Sequence, residues 1–401
     1  MSPAAEPRKM RPRYAAKREA IMEAATQVFC DQGFSGFTLA AVAKRMDLHP
    51  VSLTYYFKRK EDLAGAVLHV ALARHAAMVD AAEREATPQA RLRALIRAYV
   101  EVRRRVALGE EGPLAPFSEV RLVGAEGLME AFSDLYIRLG RLTRSEDAPW
   151  MTPARRHALA RLLVDHLGWT DAWLGAYAPE DYARVGERLA DILIDGMAPD
   201  GAVPPALPLP ALGGCEAQND EVTRESFLTA ATSLINREGY RGASVEKISA
   251  ELKVTKGSFY HHNTDKDELA VACFERSIEL MGEARRLALS NGRNGWERLW
   301  LWTASLSQLQ ASAPDGRLLR HYALAAVPPD IRTDVARRFY ATAMSLSGLI
   351  ADGIADGSLR AVDPLLAGQL VLVTFNSARP AAEGDLLQDY VRPALTGWLR
   401  P

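Results

Sequence analysis

Apolar residues recur at three- and four-residue spacing along most of the chain, which is the period of an amphipathic α-helix. Proline and glycine interrupt this pattern and divide it into successive helices. The pattern therefore predicts an all-α protein. The main predicted helices are 18–32, 39–46, 50–57, 153–178, 179–197, 267–290, 296–312, 316–325, 330–353, 364–377 and 385–398.

The first three helices are short and closely spaced, as in a helix-turn-helix. Gly33 is expected to end the first helix, and Thr38 is expected to cap the second. Residues 47–49 form the predicted turn. Pro50 then occupies the first position of the third helix, where its missing N–H costs nothing.

The third helix has Leu53 and Phe57 on its core side, four residues apart. Its other face carries threonine and tyrosine side chains, and the basic segment 58–60 follows it. Hydroxyl groups can bond phosphates or base edges, and lysines neutralise backbone charge. This predicts a DNA-reading helix, although an ordinary surface helix with a charged end would show the same local pattern.

The same pattern returns later in the chain at one constant offset. Gly239 lies 206 residues after Gly33, and Lys266 lies 206 residues after Lys60. Ser244 stands where Thr38 stands in the first copy. So many matches at one offset indicate an internal repeat rather than a coincidence.

The repeat divides the chain into two similar halves separated by a proline- and glycine-rich linker. Each half has a short helix-turn-helix head and a longer helical body. The predicted segments are a basic N-terminal arm at 1–17, a first head at 18–63, a first body at 64–197, a linker at 198–220, a second head at 221–269 and a second body at 270–401.

Charge is divided unequally between the heads, although the whole chain has a net charge of only −1. Residues 1–60 hold eleven basic side chains and five acidic ones, whereas residues 220–268 hold seven basic and nine acidic ones. Non-specific DNA affinity scales with the number of phosphates that are neutralised. We therefore predict that the first head supplies most of the binding energy, with the basic arm 1–17 as a further phosphate contact or a solubilising tail.

Other function classes find little support in the sequence. The three cysteines are far apart, the N-terminus has no apolar signal segment, and the usual catalytic and nucleotide-binding motifs are missing. We expect a cytoplasmic protein that is not an enzyme and has no cofactor. A metal site at His261, His262, Asp265 and Asp267 is a remote alternative.

With both heads laid out, the chain resembles the tetracycline-repressor-like (TetR/AcrR) family of bacterial transcription regulators. The resemblance is carried by Ala25, Phe29, Gly33, Thr38, Leu48, Phe57 and the segment 60–63, and again by Ala231, Gly239, Ser244, Ile248, the segment 254–260 and the segment 266–269. Two departures stand out. Thr54 replaces the usual first phosphate-contacting tyrosine, and Asn263 replaces the core phenylalanine that Phe57 supplies in the first head.

The resemblance implies a DNA-binding regulator, most simply a ligand-responsive repressor. The expected DNA contacts in the first head are Thr38, His49, Pro50, Val51, Ser52, Thr54, Tyr55, Tyr56, Lys58 and Lys60. Those in the second head are Ser244, Thr255, Lys256, Gly257, Ser258, Tyr260, His261, His262 and Lys266. Candidate residues for binding a small-molecule effector are Trp169, Trp173, Tyr177, Trp300, His321 and Tyr322.

Two arrangements on double-stranded operator DNA fit these expectations. The bodies could associate through 153–197 and 363–399 within one chain, which would make an intrachain pseudo-dimer that reads two unlike half-sites. Alternatively, the second head is a degenerate structural partner, and a homodimer of chains reads DNA through the first head.

Overall fold

The computed structural model describes residues 12–117, 120–213, 223–262, 265–320, 323–324, 329–380 and 385–401. Within these ranges the regular structure is helical, and none of the described residues lies in a strand. The helices of the first half are α1 (Pro12–Gly36), α2 (Leu39–Arg45), α3 (Pro50–Thr54), α4 (Lys60–Ala82), α5 (Pro88–Ala107), α6 (Val120–Val123), α7 (Leu128–Arg141), α8 (Pro153–Trp173) and α9 (Tyr182–Asp195).

The second half follows an extended linker and begins with the same order of head helices. Its helices are α10 (Arg224–Gly242), α11 (Val245–Glu251), α12 (Lys256–His262), α13 (Lys266–Asn291), α14 (Gly295–Ala311), α15 (Pro329–Ala355), α16 (Pro364–Asn376) and α17 (Arg392–Thr396). A π-helical segment, Leu386–Val391, leads directly into α17. The predicted all-α fold with a tandem repeat is confirmed.

Each head is a three-helix unit around a small apolar core. In the first head, Ile21, Phe29, Val42 and Leu53 have no exposed surface. Burying a side chain of this size contributes about 1.5–3 kcal/mol relative to leaving it exposed. Four such residues therefore hold α1, α2 and α3 together, and α4 packs against α1 to carry the head on the body.

Helix α4 connects the first head to the first body. It is the one helix among the described residues that is long and apolar enough to pass a length-and-composition test for a membrane span, and half of its most apolar window is buried inside the protein. Leu63, Val67 and Leu68 on this helix are fully or almost fully buried. A core helix of a folded domain passes the same test.

Three predicted elements differ from the structure. Residues 12–17, predicted as part of a free arm, are the first turns of α1. The third helix ends at Thr54 instead of Phe57, because Tyr55 and Tyr56 form a turn. The predicted helix 316–325 is wrong over residues 316–320, which are irregular, and residues 323–324 lie in a 3-10 turn.

Side chains explain why residues 318–320 are not helical. The backbone N–H of Leu318 donates to Gln310 Oε1 at 2.8 Å, and that of Leu319 donates to Ser277 Oγ at 3.1 Å. The backbone N–H of Arg320 donates to Asn236 Oδ1 at 3.0 Å. Buried polar side chains therefore supply the partners that a helix would otherwise provide.

The two heads are attached to their bodies differently at equivalent positions. In the second head Asn236 Nδ2 donates to the backbone oxygens of Asp315 and Leu318, both at 2.9 Å, and Arg237 pairs with the Asp315 carboxylate at 3.0 Å. In the first head Cys30 stands 206 residues before Asn236 and makes one weak bond, 3.6 Å long, from its thiol to Leu114 O. Burial raises the pKa of the Cys30 thiol to about 11. At these equivalent positions the second head therefore makes more polar contacts with its body than the first.

The linker lies along the second body in an extended conformation. The Trp296 indole donates to Val203 O at 3.1 Å, and the backbone N–H of Gly213 donates to Glu283 Oε2 at 3.3 Å. Leu207, Leu209 and Leu212 are partly buried against the core. These contacts hold the described part of the linker on the second half.

The bodies of the two halves pack directly on each other. Helix α8 contacts α16 and the π-helical segment, and α9 contacts α16. Trp169 Nε1 donates to Gln369 Oε1 at 3.0 Å across this contact. Arg360 donates to the Asp191 carboxylate at 3.1 Å and to Gly196 O at 2.6 Å. Helix α1 also contacts α10, so the two heads are neighbours.

The chain segments at the ends of α9 and α17 cross at two glycines. Met197 N donates to Leu395 O at 2.8 Å, and reciprocally Trp398 N donates to Leu193 O at 2.9 Å. Gly196 has φ +72° and Gly397 has φ +105°, both in the left-handed region that favours glycine. A Cβ atom on Gly196 would lie 2.2 Å from Thr396 C, and one on Gly397 would lie 2.6 Å from Ile194 O. The crossing therefore requires glycine on both sides.

A Gly397→Ala substitution should lower the free energy of unfolding by roughly 2–4 kcal/mol, because it adds backbone strain and forces the crossing apart. The matched control is Gly348→Ala on α15, where an added Cβ meets nothing within 4 Å. That control should stabilise the chain by about 0.5–1 kcal/mol. Urea unfolding of both variants measures the difference, and equal stabilities would contradict the described crossing.

Candidate nucleic-acid interface

The turn of the first helix-turn-helix is set by backbone geometry and capping. Thr38 Oγ1 accepts from Ala41 N at 3.0 Å and begins α2. Asp47 then adopts φ +53°, which reverses the chain. His49 Nδ1 accepts from Val51 N at 3.4 Å and caps α3, whose first residue is Pro50. Thr38 and His49, predicted as DNA contacts, thus use a side-chain acceptor to position the helices.

The fully buried Leu53 fixes which face of α3 points outward. Val51 and Tyr55 are 67% and 75% exposed, and Ser52 and Thr54 are also exposed. The Thr54 hydroxyl donates to Val51 O at 2.8 Å, which leaves its lone pairs for an outside donor. These four side chains and Pro50 form the exposed face of α3, so the structure brings the predicted residues together there.

An aromatic cluster that the sequence did not predict lies beside this face. Tyr14, on the first turn of α1, stacks on Tyr56 with 4.8 Å between ring centroids. Its ring also meets the edge of Tyr55 at 5.9 Å, and Tyr55 meets Tyr56 at 5.2 Å. Because Tyr14 falls in the segment predicted as a free arm, helical periodicity extended N-terminally to Pro12 was the one signal that could have revealed it.

The basic residues of the first head have different surroundings. Lys44 and Lys58 are exposed. Arg59 pairs with Asp62 at 2.8 Å, and its hydrogen bond lowers the pKa of the Asp62 carboxyl. Lys60 lies over the Phe34 ring at 4.2 Å and donates to Phe34 O at 3.4 Å. Lys60 therefore anchors the start of α4, whereas Lys44 and Lys58 face solvent.

The second head repeats this geometry closely. Ser244 Oγ accepts from Lys247 N at 3.3 Å, and Lys253 has φ +56° at the position equivalent to Asp47. Thr255 Oγ1 accepts from Ser258 N at 3.3 Å and caps α12. Tyr260 is 58% exposed. The second recognition helix is thus placed in the same way as the first.

Some of the remaining DNA contacts predicted for the second head lie outside the residues that the structure describes. Gly257 is exposed, and Lys266 lies over the Tyr240 ring at 4.3 Å, as Lys60 does over Phe34. The side chains of His261 and His262, and all of Asn263, lie outside the described residues. Of the proposed metal ligands, Asp265 accepts from Glu268 N at 2.8 Å and Asp267 accepts from the Tyr240 hydroxyl.

The polarity of one ion pair is reversed between the heads. In the first head Arg45 on α2 pairs with Asp31 on α1 at 3.3 Å. At the equivalent positions of the second head, Glu251 on α11 pairs with Arg237 on α10 at 3.2 Å. The swap puts a cation on the second helix of one head and an anion on that of the other.

The distribution of lysine marks the heads in a way that sequence reasoning missed. Every lysine of the chain lies between residues 9 and 60 or between residues 247 and 266, and the bodies use arginine as their basic residue. Lysine carries a compact, strongly hydrated charge on a flexible stem and can bind phosphate as a point charge. Counting the two basic residue types separately would have pointed to the heads.

The residues predicted to bind an effector are dispersed, and several are packed in cores. Trp169 and Trp173 on α8 are 7% and 4% exposed, and Trp169 bonds across to the second half. Tyr177 meets the Trp173 ring edge at 6.1 Å, and Trp300 is 3% exposed beside Trp296. His321 and Tyr322 lie outside the described residues.

Two cavities lie at the contact between the halves, and one of them is lined by a predicted effector residue. Trp169 and Phe339 line a void of about 10 Å³ at the contact between the halves, which holds at most one water molecule. An open groove of about 720 Å³ runs between the halves beside Arg93, Asp191 and Asp363, and its lining residues include none of the predicted tryptophans. In the first body, burial lowers the pKa of His75 to about 4, so this histidine is neutral near pH 7.

Comparison with known proteins identifies the heads. Residues 21–67 and 227–273 each match the family model described as bacterial regulatory proteins, tetR family. The two matched segments are 206 residues apart, as the internal repeat requires. Each covers the three helices of a head and the start of the helix that leads into the body.

Two curated relatives match parts of the chain. The Transposon Tn10 TetC protein of Escherichia coli is 33% identical over 84 residues, which are 21% of this chain and 42% of that protein. An uncharacterized HTH-type transcriptional regulator in the lacX 3′ region of Lactococcus lactis subsp. lactis is 34% identical over 65 residues, 16% of this chain and 33% of that protein. The chain thus spans less than half the length of either relative.

Solved structures in the comparison include apo AibR and a transcriptional regulator of the TetR/AcrR family from Thermobifida fusca YX-ER1. The first has 20% identity and a TM-score of 0.34, covering 43% of this chain and 88% of AibR. The second has 19% identity and a TM-score of 0.30, covering 44% of this chain and 96% of the other. The two family-model matches coincide with the two heads, so each half of the chain carries one segment that is similar to the DNA-binding domain of the tetR family of bacterial regulatory proteins.

Proposed function

We propose that this regulator binds DNA as an intrachain pseudo-dimer, with the two heads of one chain on two unlike half-sites. The observation that carries the proposal is the reciprocal packing of the two bodies, in which the ends of α9 and α17 cross and exchange backbone hydrogen bonds. Reciprocal contacts between equivalent elements are the pattern of a two-fold dimer interface. Here a covalent linker joins the two members.

The positions of the heads support joint binding. Helix α1 contacts α10, so the heads lie beside each other and can approach one duplex together. Two recognition helices on one face of B-DNA fit major grooves about 34 Å apart. Because the exposed faces of α3 and α12 differ in sequence, we expect an operator with an imperfect palindrome or two different half-sites.

Selection of bound sequences from random duplexes tests this proposal. It should return two different conserved motifs at a fixed spacing of about one helical turn or a small multiple of it. Recovery of a single motif, or of a perfect palindrome, would contradict the assignment of one unlike half-site to each head.

A second candidate keeps DNA binding but makes the second head a structural partner. Its Lys256 and Lys247 are both held in ion pairs with glutamates, which favours this candidate. The well-formed turn and the exposed Tyr260 support direct contact instead. A Lys256→Ala, Tyr260→Ala double variant separates the two: unchanged operator affinity supports the structural partner, and a loss at one half-site only supports two reading heads.

We further propose that the chain is a cytoplasmic repressor and that one of its bodies binds a small molecule that shifts the heads. The support is the family resemblance and the direct attachment of each head to its body through α4 or α13. A ligand can change DNA affinity only through a difference in its affinity for the two arrangements of the heads. Release of operator DNA by apolar or aromatic compounds, followed by fluorescence anisotropy, tests this proposal.

Lys58 should act as a phosphate contact. A Lys58→Ala variant should weaken binding to all duplexes and reduce the slope of log affinity against log salt by about 0.9, the value for one phosphate. An Arg84→Ala variant, which removes an exposed charge just beyond the far end of α4, serves as the control and should change neither quantity. Equal slopes for Lys58→Ala and the parent chain would refute this role.

Tyr14 should position the tyrosines that follow α3. A Tyr14→Ala variant removes two ring contacts and should lower operator affinity by roughly three- to tenfold, since aromatic pairs contribute about 0.5–1.5 kcal/mol each. Tyr14→Phe keeps the ring and should stay within about twofold of the parent. Titration by fluorescence anisotropy measures both. An equal loss in the two variants would instead assign the effect to a direct contact of the Tyr14 hydroxyl.

A further inference from the structure

Three basic side chains of the second head are each held by a glutamate of the same head. Lys256, the first residue of α12, pairs with Glu246 on α11, and Lys247 pairs with Glu238. Arg237 pairs with Glu251 at 3.2 Å. The Lys256 and Glu246 side chains are 57% and 58% exposed, so this pair lies on the surface and not in the core.

The first head has no acidic residue at the positions of these three glutamates. Gln32, Ala40 and Arg45 stand 206 residues before Glu238, Glu246 and Glu251. The backbone is the same in both heads at this point, since Thr38 and Ser244 cap α2 and α11 in the same way. The difference between the heads is therefore in the charge of the surface and not in the fold.

Glu246 lies next to the start of α12. It is the second residue of α11, and it contacts the first residue of the recognition helix. Its bond from Lys256 is the main cause of a pKa lowered to about 2, so the carboxylate is charged at neutral pH. A phosphate that approaches Lys256 meets this negative charge, and a lysine that is already paired releases fewer counterions from DNA.

We propose that Glu246 restrains the second head electrostatically, so that this head discriminates against non-specific DNA and engages a half-site mainly through its base contacts. Glu238 and Glu251 add to the same effect. The inference rests on the proposed DNA-binding function of the second head. Under this proposal the two heads have different roles. The first head supplies sequence-independent affinity for DNA, and the second head supplies selectivity between sequences.

The test compares two reciprocal substitutions in the full chain. Glu246→Gln should raise affinity for a random-sequence duplex by roughly three- to tenfold and steepen the salt slope by about 0.9, because Lys256 becomes available to a phosphate. Operator affinity should rise less, so the ratio of specific to non-specific affinity falls. Ala40→Glu, which places the same acid in the first head, should lower non-specific affinity.

The control is Glu279→Gln on α13, which makes the same charge change on an exposed residue of the second body. It lies thirteen residues along α13, roughly 20 Å from the start of that helix, which is about two Debye lengths at 0.1 M salt. If Glu246→Gln changes non-specific affinity and salt slope no more than this control does, the restraint is refuted while DNA binding by the chain stands. If the parent chain binds no duplex at all, the proposed function fails first and the restraint fails with it.

Discussion

The crossing of α9 and α17 is the contact on which the arrangement of the whole chain depends. Two glycines let the backbones approach closely enough to exchange hydrogen bonds, Met197 to Leu395 in one direction and Trp398 to Leu193 in the other. Packing of α8 on α16 extends the contact over a broad apolar surface. The heads also contact each other through α1 and α10, so the junction of the bodies and this second contact together set the placement of α3 relative to α12.

Joining two regulator units in one chain removes a constraint that a homodimer cannot escape. Identical subunits must carry identical heads, whereas linked units can diverge. Here the divergence is mainly electrostatic, as the reversed pairs Arg45–Asp31 and Glu251–Arg237 illustrate. It extends to the attachment of the heads, where Asn236 makes several bonds to its body and Cys30 makes one. At these positions the second head makes more hydrogen bonds to its body than the first. The second head holds more acidic than basic residues, whereas the first holds more basic than acidic ones.

Much of the fold could be predicted because it follows from local rules. The apolar period identified the helices, glycine and the capping residues Thr38 and Ser244 located their ends, and the constant offset revealed the repeat. The irregular segment 316–320 could not be predicted, because its backbone is satisfied by Asn236, Gln310 and Ser277 from distant parts of the chain.

On the exposed surface of the first head, too, local features could be predicted from the sequence and tertiary ones could not. The exposed residues of α3 followed from the burial of Leu53, which the helical period had placed inward. The Tyr14 cluster and the Lys256–Glu246 pair did not follow, since both join helices whose relative placement is tertiary. The residues predicted to bind an effector were the hardest to assign, because aromatic side chains that fill a core and those that line a pocket have the same sequence signature.

The stoichiometry of the complex with operator DNA tests the central claim most directly. Native mass spectrometry of the chain with a duplex that carries both selected motifs should show one 44.0 kDa chain per duplex, and mutation of either motif should weaken that complex without changing its composition. A complex of two chains on one pair of motifs, with no complex of one chain, would contradict the intrachain pseudo-dimer.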